Sequence, residues 1–342
     1  MAKGLKKATF KIEDIQSGMD TYKKPRGDKI YSGKVLEVAQ LYGYHFCKKS
    51  IEVPYFPPVI WIEPTSICNL KCPMCLTGNG QVKSASDLGV MDMELFKKII
   101  GEIRHHPIIR VGLFFRGEPL IHPKIVDMVR IACQYDLNPY FHTNGTLMNP
   151  ERAKDLIQAG LSYVSFSFDG ETKEEYESIR VGGSFDTTVY NIKEFLRIKE
   201  KMQSATPHVV IQKIDFNGKG ITDRYRQLFE DLPVNEFKAN PPHNWSGEIQ
   251  EIKMGNNGNS MDIHPCPDPW QRLTICWNGL VVSCCKDMLQ KMPIGNVKTH
   301  SIETIWNNTR IRKLRSSVAS NANCTSKLCE NCSALYVNNW TI

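Results

Sequence analysis

From residue 59 onward the chain alternates two hydrophobic periods. Short apolar runs of strand length recur at 59–63, 108–115, 139–142, 163–168, 208–214 and 235–238. Between them, apolar residues return at intervals of three and four, the spacing of a helix face. After Asp92, a good N-cap residue, come Leu95, Phe96, Ile99, Ile100 and Ile103. Ile125, Val126, Val129, Ala132 and Cys133 form a second stripe, and 150–159, 187–201 and 222–231 read as further helices. Strands that alternate with helices predict parallel pairing through right-handed crossovers. The fold class expected is therefore α/β, with six strands suggesting a partial barrel and functional loops at the strands' carboxyl ends. In the fourth strand Ser165, Ser167 and Asp169 alternate with Phe166 and Phe168, which predicts a polar barrel interior backed by an apolar core.

The pattern changes outside 59–240. Residues 1–58 begin polar and lysine-rich, carry a short helical stretch near 35–42, and read as an N-terminal extension packed on the barrel. Residues 241–264, with Pro241-Pro242 and Gly255-Asn256-Asn257-Gly258-Asn259, read as a flexible linker. A cysteine-rich module of small α+β character occupies 265–342; Asn278-Gly279 turns a hairpin there and 301–318 is helical.

The densest chemistry is Cys68-Asn69-Leu70-Lys71-Cys72-Pro73-Met74-Cys75, a C-x3-C-x2-C spacing with no further cysteine before Cys133. A zinc site takes four ligands, often in pairs, so a lone triple suits it poorly. Three thiolates on a cubane iron–sulfur cluster leave one iron open, and an open metal position is a reactive one. The spacing resembles that of the radical S-adenosylmethionine (radical SAM) enzymes. The resemblance implies a (β/α)6 barrel, a [4Fe–4S] cluster on Cys68, Cys72 and Cys75, and SAM chelated by its open iron. Reductive cleavage of SAM would then give a 5′-deoxyadenosyl radical that abstracts hydrogen, with a flavodoxin or ferredoxin as electron donor. It also implies SAM contacts. Met74 would lie against adenine. Arg116-Gly117-Glu118-Pro119 is similar to the family's G-G-E-P motif, with arginine in the first position, and would receive the SAM amino group. Asn144 of Thr143-Asn144-Gly145, and Ser167 and Asp169 of the Ser-x-Asp-Gly segment, are the remaining candidates. Ordinary Asx-Gly turns remain the alternative for both loops. Arg180 is a candidate for a carboxylate or ribose, with a solvated surface arginine equally open.

The C-terminal pattern Cys266-x17-Cys284-x44-Cys329-x2-Cys332 resembles the shortened SPASM module called a twitch domain. That implies one auxiliary [4Fe–4S] cluster, although the same four thiolates would suit a structural zinc ion. Cys284 and Cys285 face opposite ways in an extended strand, and the family spacing selects Cys284. Cys276, Cys285 and Cys324 are left as candidate hydrogen-atom donors, with a buried core thiol the plainer reading. Lys213 is a candidate base, with Asp215 on its strand face.

Twelve cysteines in 342 residues, a charged start without an apolar segment after it, and no apolar run near membrane-spanning length together suggest a reducing cytoplasm. A formal charge of +7 is too mild, and its cations too dispersed, to point to nucleic acid, and the lack of a spanning apolar run argues against a membrane. The resemblance to twitch-domain aminocyclitol dehydrogenases implies a small-molecule substrate. Two enzymatic outcomes are open: oxidation of a carbohydrate or aminocyclitol alcohol to a ketone, or epimerisation with a cysteine hydrogen donor. Ribosomal-peptide maturation is disfavoured by the short N-terminus, and a non-catalytic iron–sulfur or zinc scaffold is the remaining class.

Overall fold

The computed structural model describes residues 33–82, 88–249, 266–320, 328–330 and 332–333. One nine-stranded sheet runs through all of it. Its strands are β1 (Val59–Ile62), β2 (Arg110–Gly112), β3 (Pro139–Thr143), β4 (Tyr163–Ser167), β5 (His208–Ile214), β6 (Glu236–Asn240), β7 (Arg272–Ile275), β8 (Leu280–Val282) and β9 (Pro293–Asn296). The spatial order is β6-β5-β4-β3-β2-β1-β7-β8-β9. The first six are parallel and form the partial barrel expected from the sequence. β7, from the cysteine-rich module, pairs parallel with β1, so the module continues the barrel's own sheet.

The helices are α1 (Gly33–Cys47), α2 (Met93–Ile103), α3 (Ile125–Cys133), α4 (Pro150–Gln158), α5 (Lys173–Ile179), α6 (Phe185–Lys201), α7 (Asp223–Gln227), α8 (Asp268–Gln271), α9 (Ile302–Trp306) and α10 (Thr309–Ala319). The stripe read from the sequence in α2, Leu95, Phe96, Ile99, Ile100 and Ile103, is its buried set. Local chemistry fixes where most of these helices begin. Asn149, Thr172, Ser184, Thr222, Ser301 and Asn308 each accept a backbone N–H of the first turn. Asp92 stands at the start of α2 without making such a bond.

Phe166 and Phe168 point outward into the core with Phe195, Tyr176 and Phe229. The opposite face of β4 turns Ser167 to the barrel cavity. Among the described residues, no helix is long and apolar enough to cross a membrane.

Candidate active site between two sets of thiols

The loop after β1 brings Cys68, Cys72 and Cys75 to one cavity of about 310 Å³ at the carboxyl ends of the strands. Cys75 N donates to Cys72 O at 3.1 Å and Asn79 N to Cys75 O at 2.8 Å, which folds the loop back on itself, and Lys71 N donates to Val181 O at 2.8 Å, which ties it to the segment after α5. Burial pushes the Cys68 thiol up to about 12, and the nearby Glu118, Cys75 and Cys72 add to the rise. Cys72 is raised for the same first reason, against the pull of Arg180. Clustered thiols that resist ionising alone are stabilised by a cationic centre, and coordination deprotonates them outright. The donor set thus fits an iron–sulfur core. Among the described residues, no three His, Cys, Asp or Glu side chains converge as they would on a single ion.

Beside the thiols, Glu118 organises two loops. Its carboxylate accepts Leu120 N at 3.1 Å, Thr143 Oγ1 at 2.6 Å and Asn144 N at 2.8 Å, and burial raises its pKa against those donors. Asn144 in turn donates from Nδ2 to Asn69 Oδ1 at 3.0 Å, tying the loop to the cysteine segment. Gly117 is required by close approach: a Cβ there would sit 2.4 Å from Thr65 O and 2.5 Å from Ile67 O. Arg116, which replaces a glycine of the family motif, is held by a carboxylate. Its Nε and Nη2 bind Glu63 Oε1 and Oε2 at 2.8 and 2.9 Å, and both side chains are buried. Met74, Gly117, Glu118, Asn144 and Ser167 all line the thiol cavity.

Asp169 stands one step back. Its Oδ1 accepts Ile214 N at 2.5 Å and its Oδ2 accepts Arg180 Nε at 2.6 Å. Arg180 is thereby ion-paired and half-buried, and holds Nη1 3.9 Å from Cys72 Sγ. No motif foretold this contact, because partners eleven residues apart belong to different elements.

Cys285 and Lys286 of the C-terminal module line the same cavity. Behind them Cys266, Cys284 and Cys332 lie within electrostatic reach of one another or of Cys285, and burial holds Cys266 well above its ordinary range. Cys332 N donates to Cys329 O at 3.1 Å, closing the C-x2-C turn. Cys324 lies outside the described residues. Cys276 is wholly buried near Glu63 and Arg116 and is not among the residues that line the cavity. Lys213 lines an adjoining space of about 480 Å³ and pairs with Glu171 Oε1 at 3.3 Å. Asp215 instead accepts Lys219 N and Gly220 N, capping a turn.

Several cavity residues were not singled out from the sequence. Trp61, Phe114 and His142 line both spaces, and Trp61 Nε1 donates to Tyr140 OH at 2.6 Å. Pro242 and His243 also reach both, and Trp245 Nε1 donates to Met74 O at 2.8 Å. Asn244 and Ser333 exchange bonds of 3.2 and 3.1 Å. The described part of the expected linker is therefore packed cavity wall. Burial, helped by Lys286, pushes His243 down to about 2, so its ring is neutral.

A partial barrel that presents three thiols after its first strand, opposite a second thiol set, defines an iron–sulfur enzyme of the SAM-cleaving kind. The chain belongs to the radical SAM superfamily, matched over residues 62–211, and carries a SPASM iron–sulfur cluster-binding domain over 266–333. It is 29% identical over 296 residues to the tungsten-containing aldehyde ferredoxin oxidoreductase cofactor-modifying protein of Pyrococcus furiosus, covering 73% of this chain and 81% of that one. The S-adenosyl-L-methionine-dependent 2-deoxy-scyllo-inosamine dehydrogenase of Niallia circulans is 21% identical, across 82% of this chain and 94% of its own. The crystal structure of BtrN in complex with AdoMet and 2-DOIA shares the fold, with a TM-score of 0.56 at 21% identity over 82% of this chain and 93% of that one.

Proposed function

We propose that this enzyme oxidises a secondary alcohol of a carbohydrate or aminocyclitol to the ketone. The observation that carries the reading is one cavity lined by Cys68, Cys72 and Cys75 and also by Cys285 and Lys286 of the C-terminal module. When bound, SAM on a [4Fe–4S] cluster held by Cys68, Cys72 and Cys75 supplies the hydrogen-atom acceptor, and a second [4Fe–4S] cluster held by Cys266, Cys284, Cys329 and Cys332 supplies a one-electron oxidant. Met74, Gly117, Glu118 and Asn144 shape the SAM side of the cavity. Asp169 acts through Arg180, which it holds beside Cys72. Trp61, Phe114 and His142 form the wall against which a ring would lie, and Pro242 and His243 limit water. The alcohol proton passes to a base at the wall, for which Lys213 is the candidate once its ammonium has handed its own proton to the paired Glu171 carboxylate. A flavodoxin or ferredoxin is the proposed electron donor. The alignment with the inosamine dehydrogenase, over 82% of this chain and 94% of that one, supports this reading.

A second reading, epimerisation, is favoured by the position of the Cys285 thiol on the same wall. Anaerobic reconstitution followed by SAM, dithionite and a panel of polyols separates the two. Oxidation predicts 5′-deoxyadenosine and ketone in equal amounts, with no solvent deuterium in the product. Solvent deuterium in an epimer, lost in Cys285→Ala, would select the second reading; no 5′-deoxyadenosine would remove both.

A further inference from the structure

Two arginines at the barrel floor have no part in the reaction so far. Arg110 opens β2 and Arg272 opens β7, and both are in register with Val59 on the strand between them. Residues paired across a sheet point to the same face, and strands lie about 4.8 Å apart, so the two Cα atoms stand roughly 10 Å from each other. Each guanidinium lies against an aromatic ring, Arg110 at 4.8 Å from the Tyr140 centroid and Arg272 at 4.1 Å from that of Trp61. The indole-to-phenol bond joins those two rings, so both cations rest on one aromatic platform.

This platform is not electrostatically complete. The Nε–H of each arginine is buried without an acceptor. Asp268 takes Arg272 Nη1 at 3.1 Å, while Arg110 has a ring contact and no ion pair among the described residues. Both arginines line the space of about 480 Å³, together with Lys238, Lys286 and Lys213, the last of these paired with Glu171. The carboxylates on that wall are Asp169 and Asp268, each already bound to an arginine. Buried donors without acceptors, on cations in excess, fit an oxyanion, and arginine forks suit carboxylate or phosphate.

We propose that the substrate carries a carboxylate or phosphate seated between Arg110 and Arg272, with its other end toward the thiols. This deepens the oxidation reading, on which it rests for assigning the cavity to the substrate. It favours an acid sugar or a phosphorylated cyclitol over an amine-bearing one, whose ammonium would meet like charge.

Full-length reconstituted protein titrated with inorganic phosphate, malonate or methylammonium at constant ionic strength tests this, with melting temperature and tryptophan fluorescence as readouts. Phosphate or malonate should give a saturable rise in Tm that methylammonium does not. The midpoint should move by roughly ten-fold or more in Arg110→Gln and in Arg272→Gln, the loss of one charge-assisted hydrogen bond. The stronger of the two anions identifies the group. Should Arg110→Gln fail to fold, Arg110→Lys and Arg272→Gln carry the comparison. A response retained in these variants, an equal response to methylammonium, or no saturable response to either anion overturns the proposal. No turnover is measured, so such a result leaves the oxidation reading to be decided by 5′-deoxyadenosine and ketone.

Discussion

The Glu63–Arg116 pair joins the cofactor loop to the auxiliary module, and its removal gives a prediction of definite size. Glu63 Oε1 also accepts Arg116 N at 3.2 Å, and Oε2 accepts Trp277 N at 3.1 Å from the segment after β7. The Gln290 amide, with its oxygen toward the guanidinium, adds contacts of 3.2 and 3.0 Å. Glu63→Leu would leave a buried guanidinium without its counter-charge and Trp277 N–H without its acceptor. Breaking one side of a buried pair costs about 3–5 kcal/mol, whereas replacing both partners by apolar residues is often neutral or better. In a protein of 342 residues such a loss lowers Tm by roughly 4–7 °C. The assay is urea and thermal unfolding of anaerobic protein for Glu63→Leu, Arg116→Met and the double variant. The double variant should be no less stable than either single, because the orphaned charge is gone. A single-variant loss below about 1 kcal/mol, or additive losses in the double variant, would refute the reasoning.

Three other outcomes follow from the geometry. Gly117→Ala should destabilise the SAM loop by about 1–3 kcal/mol, since its Cβ meets backbone carbonyls that cannot move independently, and SAM retention in equilibrium dialysis should fall with it. Cys284→Ala should lose about half of the iron and labile sulfide, the share of one of two four-iron clusters, while Cys285→Ala should keep both and change turnover alone. His122 accepts Lys124 N at Nδ1 and so must donate from Nε2 to Met91 O; burial lowers its pKa below the ordinary 6.5. The unfolded chain therefore takes up the proton first as pH falls below 6.5. The stability His122 contributes is present above that value and declines toward acid, by up to about 1.4 kcal/mol per pH unit, and His122→Gln should flatten that slope in pH-dependent unfolding.

Where burial follows a simple period, the sequence was sufficient. The α2 stripe and β5 were read with their buried residues or ends in place, because each packs one continuous face. α5 was missed because Tyr176 is its buried residue and a single apolar position has no period; Thr172, its cap, starts it instead. The strand expected over 108–115 stops at Gly112, and Phe114 and Phe115 leave the sheet to wall the cavity. The helix expected over 301–318 divides at Asn307 and Asn308, where the Asn308 side chain caps a new start. Long-range pairing was illegible altogether: nothing local tells β7 to lie beside β1. The same holds for the site. Motif spacing found the cysteines and the Glu118 loop and singled out Arg180, but the partners of Arg180, His243 and the arginine floor depend on contacts between distant segments.

The central claim is that the Cys68, Cys72 and Cys75 trio holds a cluster with an iron open to SAM. A Cys329→Ala, Cys332→Ala variant, built to lack the second cluster, isolates it. Reduced anaerobically, this variant should show a [4Fe–4S] electron paramagnetic resonance signal that shifts on addition of SAM. A variant that binds no iron at the trio, or a signal indifferent to SAM, would contradict the account.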